Sequence, residues 1–153
     1  MQKSVLLDTN LLLLLIVGLT SVGYIRAHRA LKAYTEEDFE VLVSTIRGAK
    51  EIVCTPNTLT ECSNLLDRIA EPALSEIMRF FRHFIGNTRE AYVESSRAAL
   101  LDDFPRLGLA DSALISLSTQ DTFILTADLD LYLSAARRGY AVANFNHLPH
   151  RAG

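Results

Sequence analysis

The sequence predicts an α/β protein with a mainly parallel sheet. Three observations carry that reading. Short apolar runs at Ser4–Leu7, Glu51–Cys54 and Thr122–Thr126 have the length of buried strands. Between them lie longer stretches with helical spacing, the clearest being Phe39, Leu42, Val43 and Ile46 at i, i+3, i+4 and i+7. Strands that alternate with helices pair in parallel through right-handed crossovers.

The 153 residues suit one domain, 1–153, with a real core. Hydrophobic content of 49% and charged content of 22% are those of a soluble globular protein. A net charge of -3 with only three lysines weighs against a broadly basic polynucleotide-binding surface. With the four acids discussed below set aside, the remainder is slightly positive, so local basic patches fit. Cys54 and Cys62 match no zinc or redox spacing and read as reduced, buried thiols of a cytoplasmic protein. His28, His83, His147 and His150 show no metal-ligand spacing. Leu11–Leu19 is very apolar but too short to span a bilayer. It has no basic flank beyond Lys3 and no cleavage site of the signal-peptide kind, so no membrane is expected. It reads as a buried helix or one at a subunit interface.

Taken in order, the first strand ends at Asp8, and a helix over Asn10–Leu19 follows, ending near Gly18 to Gly23. Tyr24–Ala33 carries Arg26, His28, Arg29 and Lys32, a solvated face in preference to a phosphate-contacting rim, because four charges are few. Thr35 caps the next helix, acids fill its first turn and Gly48 stops it. Glu51–Cys54 is the second strand. Thr55 and Pro56 open a helix as cap and first residue, and Leu59, Cys62, Leu65, Leu66 and Ile69 form its buried face. Pro72 separates a further helix with Leu74, Ile77, Met78, Phe81 and Ile85 on one side, closed at Gly86. Ala91–Val93 is a weak third strand, followed by a helix over Ser95–Leu101 and a loop over Phe104–Gly108. Leu109–Ser118 is helical, Thr122–Thr126 is the fourth strand, Leu129–Arg138 is helical and Gly139 stops it. Tyr140–Val142 starts a fifth strand, and Asn144–His150 is a polar tail.

Four acids fall on one edge of this arrangement. Asp8 and Asp128 each follow a strand and so lie at the carboxyl edge, where sites of open α/β sheets form. A helix returning between parallel strands starts at that same edge, which places Asp111 there in its first turn. Glu61 stands in the second turn of its helix, and its side chain leans back towards the helix N-terminus. Each acid also has a purely structural use. Asp8 and Asp128 suit helix caps, Asp111 suits a helix N-terminus, and Glu61 suits a solvated face. Gathered without basic partners, four carboxylates repel one another unless protonated or neutralised. An oxygen-only set without histidine or cysteine favours Mg²⁺ or Mn²⁺ over zinc, and such sites act mostly on phosphate esters. Asp130 is a fifth candidate ligand, ranked below Asp128.

These residues resemble the motifs of the PIN-domain family. Leu6-Leu7-Asp8-Thr9-Asn10 is similar to its opening, Leu59-Thr60-Glu61 to its second acid, Leu109-Ala110-Asp111-Ser112-Ala113-Leu114-Ile115 to its third and Leu125-Thr126-Ala127-Asp128 to its fourth. The motifs are short, but their order covers nearly the whole chain. The resemblance implies a three-layer α/β/α fold around a five-stranded, mainly parallel sheet. It implies a Mg²⁺- or Mn²⁺-dependent endoribonuclease that hydrolyses RNA by in-line attack of water at phosphorus. Asp8, Glu61, Asp111 and Asp128 would hold the metal, with Asn10 and Thr126 supporting them by hydrogen bonds. Many small members are VapC-like toxins of type II toxin–antitoxin pairs, which implies an antitoxin protein as partner and a homodimer. The helical material between Gly23 and Arg47 departs from the simplest toxin pattern. The alternative within the family is a non-catalytic RNA- or protein-binding module. A phosphoacceptor receiver domain, the reading from another class, needs a lysine after a later strand, whereas the lysines here are Lys3, Lys32 and Lys50.

Overall fold

The computed structural model describes residues 2–148, so His150 lies outside the described residues. Its central strand, β1 (Ser4–Leu7), is buried along its whole length. β1 pairs in parallel with β4 (Thr122–Thr126), and β4 pairs in parallel with β5 (Val142–Asn144). On the other side β2 (Val53–Cys54) pairs in parallel with β3 (Arg89–Glu90) as a separate ladder. One parallel bridge, Val5 to Ile52, joins the two ladders, and the Val5 N–H donates to the Glu51 carbonyl at 2.9 Å.

The chain is therefore α/β and parallel, but the expected five-stranded sheet is corrected to ladders of three and two strands. The reason lies in β2 and β3, which contribute two residues each. The third strand forms at Arg89–Glu90 rather than Ala91–Val93, where the pairing is extended only by the Ala91 N–H donating to the Cys54 carbonyl at 2.8 Å. Glu51, beside the bridge, turns its carboxylate to Arg89 at 2.7 Å and to the Ser4 hydroxyl at 3.1 Å.

The helices are α1 (Thr9–Thr20), α2 (Gly23–Ala27), α3 (Glu36–Arg47), α4 (Pro56–Leu65), α5 (Ala73–Asn87), α6 (Ser95–Ala98), α7 (Phe104–Leu117) and α8 (Leu129–Arg137). The strands alternate their side chains between two cores, as a pleated strand must. Val5, Leu7 and Leu125 pack with α1 and with Leu59 and Cys62 of α4. Leu6, Val53 and Ile124 pack with Leu114 and Ile115 of α7 and with Leu131 and Ala135 of α8. Among the described residues no helix is long and apolar enough to cross a membrane.

α1 is the hub of the larger core. Every residue from Leu11 to Gly18 is buried, because α2, α3, α4 and α5 all pack on this one helix. Its apolar surplus is consumed inside the chain, which corrects the subunit-interface reading of this stretch. Gly18 is where α3 comes closest. A Cβ there would overlap the Phe39 ring, whose Cγ would lie only 2.8 Å away. Gly18→Ala is expected to lower stability by about 1–3 kcal/mol through overpacking. The gain of at most about 1 kcal/mol in helix propensity offsets only part of this. Urea denaturation measures the difference.

Local signals place several helix ends where the sequence does. Thr35 and Asp38 form a capping box on α3, and Thr55 caps α4 with Pro56 behind it. Elsewhere the structure corrects the reading. The buried stripe of α5 is Ala73, Ile77, Phe81 and Phe84, while Met78 and Ile85 are exposed. The helix at Ser95 stops at Ala98. Residues 104–107 are helical rather than a loop, started by Pro105 at an early position, and only Gly108 departs from helical geometry. The fifth strand runs over Val142–Asn144, and the tail that follows is a 3-10 turn, Phe145–His147, that buries Phe145 completely.

One polar hub fixes α7 against α8. The Asp103 carboxylate accepts from Arg106 at 3.0 Å, from the Ser134 hydroxyl at 2.7 Å, from Arg138 at 2.9 Å and from Arg137. These donors, Arg138 first, hold its pKa down at about 2. The hub ties the start of α7 to the end of α8, the two helices that bring Asp111 and Asp128 to the sheet edge.

Candidate functional site

β1 and β4 are neighbours, in register at Leu7 and Leu125, so their carboxyl ends open side by side. β2 is bridged to β1 on the opposite side from β4. The chain therefore leaves β1 in one direction and returns on the other, which leaves a crevice at the strand ends. A cleft of about 610 Å³ lies there, and Asp8, Glu61, Asp111 and Asp128 all line it.

Asp8 is the most deeply set. It is only 6% exposed and caps α1 by accepting from the Leu11 N–H at 3.1 Å. Its second carboxylate oxygen accepts from the Thr126 hydroxyl and from the Ala127 N–H at 2.9 Å. Thr126 in turn accepts from the Asp128 N–H at 2.9 Å, so one hydroxyl orders both strand ends. Burial pushes the Asp8 pKa up, and Asp128 adds to this, against the three hydrogen bonds. Asp128 caps α8 through the Leu131 N–H at 3.2 Å and is otherwise exposed. The two capping roles expected as alternatives are thus real, and both caps nevertheless face one cleft.

Asp111 stands differently. α7 breaks at Gly108, whose φ of 79° and ψ of 179° belong to a region open essentially to glycine alone. The helix restarts at Leu109, which puts Asp111 in a first turn after all. Asp111 is half-buried, and its pKa is pushed up to about 7 by burial first and then by Asp8, Asp128 and Glu61. No hydrogen bond opposes that rise. Gly108→Ala is expected to cost about 1–3 kcal/mol in backbone strain. Because the break aims the turn that carries Asp111, the same variant is expected to weaken divalent-ion binding. Chemical denaturation and isothermal titration with Mn²⁺ read the two effects.

Glu61 is exposed on α4 and accepts from the Thr9 hydroxyl at 2.7 Å. Asn10 lines the cleft and is exposed, and its side chain makes no hydrogen bond among the described residues. The bond to Glu61 comes from its neighbour, Thr9. Asp130 is absent from the cleft wall and lies 3.8 Å from the Arg106 guanidinium.

The donor set fits a hard divalent cation. Four carboxylates share one cleft, and the pKa of Asp111 is raised to about 7 by burial and then by the other three. Among the described residues no three His, Cys, Asp or Glu side chains already close on one point. Glu61, long and exposed, has the freedom to reach the other three acids.

The rest of the cleft lining was not read from the sequence. It includes Tyr34, Asn64, Leu65, Arg68 and Asn146. Part of it was legible, since Asn64 and Leu65 follow Glu61 at i+3 and i+4 on one helix face, while Arg68 lies in the turn after that helix. The basic stretch is not that wall. His28 is fully buried, Arg26 stands 4.0 Å from Glu36, and Arg29 and Lys32 are exposed away from the cleft lining. Comparisons with protein-family models, with curated proteins and with solved structures give no match for this chain.

Proposed function

We propose that this cleft is the active site of a metal-dependent endoribonuclease of PIN type, a hydrolase acting on RNA phosphodiester bonds. The observation that carries the reading is the convergence of Asp8, Glu61, Asp111 and Asp128 on one cleft, with Asp111 raised to about 7 by burial and its acidic neighbours. In this reading the three-stranded and two-stranded parallel ladders belong to a single three-layer domain. The buried, unpaired thiols of Cys54 and Cys62, both pushed up to about 12 by burial, suit a reducing cytoplasm. A toxin role, with an antitoxin partner and a homodimer, belongs to the same proposal.

The four acids would hold Mg²⁺ or Mn²⁺. When bound, such an ion supplies positive charge against the phosphodiester and acidifies water. The residues of the chain do the remaining work. Thr126 and the Ala127 N–H fix one Asp8 oxygen, which leaves the carboxylate a single orientation. Thr9 holds Glu61 beside the cleft until it is recruited. Asp111, raised to about 7 by burial and then by its acidic neighbours in the metal-free protein, would give up its proton on taking the ion, which makes metal affinity rise with pH.

One observation favours a second reading, a non-catalytic binding module of the same fold. Glu61 is already engaged by the Thr9 hydroxyl at 2.7 Å, so one of the four acids has a structural partner of its own. Incubation of the purified protein with a mixed RNA pool separates the readings. Cleavage with Mn²⁺ or Mg²⁺ that stops in chelator is the expected result. A folded protein that binds RNA and leaves it intact in both metals would establish the binding module instead.

A further inference from the structure

The part of the cleft lining that adjoins Glu61 is built by two segments that the fold locks together. One is the turn after α4, which carries Arg68. The other runs from α2 to Tyr34. The Arg29 N–H donates to the Arg68 carbonyl at 2.9 Å. His28, fully buried, accepts from the Ala30 N–H on Nδ1 at 3.2 Å, which leaves the proton on Nε2, and Nε2 donates to the Leu66 carbonyl at 3.2 Å. The segment between α2 and Tyr34 is thus pinned by backbone bonds to the end of the helix that carries Glu61.

The side chains on this wall differ in kind from the four acids. Arg68 is the one cation lining the cleft among the described residues. Its only ion pair among the described residues is with the adjacent Asp67, at 3.3 Å, and both side chains are more than half exposed. An exposed pair of that kind is worth little and yields readily to a phosphate. Tyr34 lines the cleft too, half-buried, its ring tilted 55° on the fully buried Phe145 with centroids 6.4 Å apart. Phe145 holds that ring in place, and Asn64 adds an amide between Tyr34's wall and Glu61 on the α4 face. A positioned aromatic ring, a guanidinium and an amide sharing one cleft with four acids form the combination that takes a single-stranded nucleic acid. The ring accepts a base, the guanidinium takes a backbone phosphate and the amide hydrogen-bonds a base edge.

We propose that Tyr34, Asn64 and Arg68 form the substrate-selecting wall of the cleft, with Arg68 taking the phosphate next to the scissile one and Tyr34 stacking the adjoining base of a single-stranded RNA. This rests on the ribonuclease reading of the acids. On this proposal Tyr34, at the end of the segment that follows α2, decides which unpaired RNA enters. The two groups divide the work by charge, the acids for the reacting phosphate and the wall for its neighbour.

The test compares wild type, Arg68→Ala, Arg68→Lys and Tyr34→Ala on a labelled mixed-sequence single strand. Cleavage is followed in Mn²⁺, and binding is followed by fluorescence anisotropy over a range of salt. Arg68→Ala is expected to raise KM roughly tenfold with kcat little changed, and to reduce the salt slope of binding by about one. Arg68→Lys, which keeps the charge, restores the slope and only part of KM. Tyr34→Ala is expected to weaken binding roughly tenfold and to flatten the preference among bases at one position. Because Tyr34 rests on the core, its fold is checked by circular dichroism, and the exposed Arg68 variants carry the conclusion if it is altered. Wild-type cleavage with unchanged KM and salt slope in Arg68→Ala overturns the wall alone. A wild type that neither binds nor cleaves the strand overturns the ribonuclease reading, and the wall with it.

Discussion

Asp111→Asn is expected to reduce metal-dependent RNA cleavage by more than about 100-fold while leaving the protein folded. Changes to groups that merely orient a metal's ligands already cost about 10–100-fold, and Asp111 is proposed as a ligand itself. The variant has a second signature that does not depend on catalysis. In the metal-free protein, Asp111 is raised from an ordinary 3.8 to about 7. A carboxyl that holds its proton more tightly folded than unfolded favours the folded state at low pH. That contribution is full below about 4, declines as pH rises and is gone above about 7. Wild-type thermal stability in chelator should therefore fall between those limits. Asp111→Asn should remove most of that slope, with the raised Asp8 supplying what remains. Mn²⁺ should stabilise wild type more at pH 8 than at pH 5, because protons compete for the same oxygens. A variant that cleaves as wild type does, or whose stability profile in chelator has the same slope as that of wild type, would remove Asp111 from the site.

Leu14→Glu is expected to abolish folding. Leu14 is 0% exposed within α1, and the four helices packed on that helix leave no route by which a carboxylate could reach water. An unpaired buried charge together with lost packing costs more than about 5 kcal/mol, against a total stability of about 5–15 kcal/mol. Leu19, further along the same helix and 45% exposed, is the control: Leu19→Glu should stay within about 0.5 kcal/mol of wild type. Circular dichroism and sedimentation velocity distinguish the outcomes. A folded Leu14→Glu protein that changes only its oligomeric state would return α1 to a subunit interface and contradict the burial described above.

The two substitutions illustrate what the sequence makes legible. Thr35 with Asp38, Thr55 with Pro56, and the helix restart after Gly108 are signals that act over a few residues, and they appear where they are read. Composition alone does not say whether an apolar helix such as Leu11–Val17 faces its own chain or another, since both bury the same side chains. Met78 and Ile85 show the same limit: they fit the helical spacing of α5, yet they lie at the edge of its stripe and stay in water. Phe145 errs the other way, an aromatic within a polar tail that the core takes in completely.

The sequence by itself determined the alternation of strands and helices and the placement of Asp8, Asp111 and Asp128 at strand ends and helix starts, because periodicity, caps and glycine breaks are local properties of the chain. The tertiary structure alone decided that β2 and β3 are too short to complete one continuous sheet with β1, β4 and β5. It also decided that Thr9 engages Glu61 across 52 positions and that Thr126 locks Asp8 across 118. It brought Tyr34 and Arg68 to one wall through bonds between the turn at Arg29 and the end of α4. Contacts of that separation depend on how whole elements stack and on which helix wins each face of the sheet, and no spacing within a single element encodes the result.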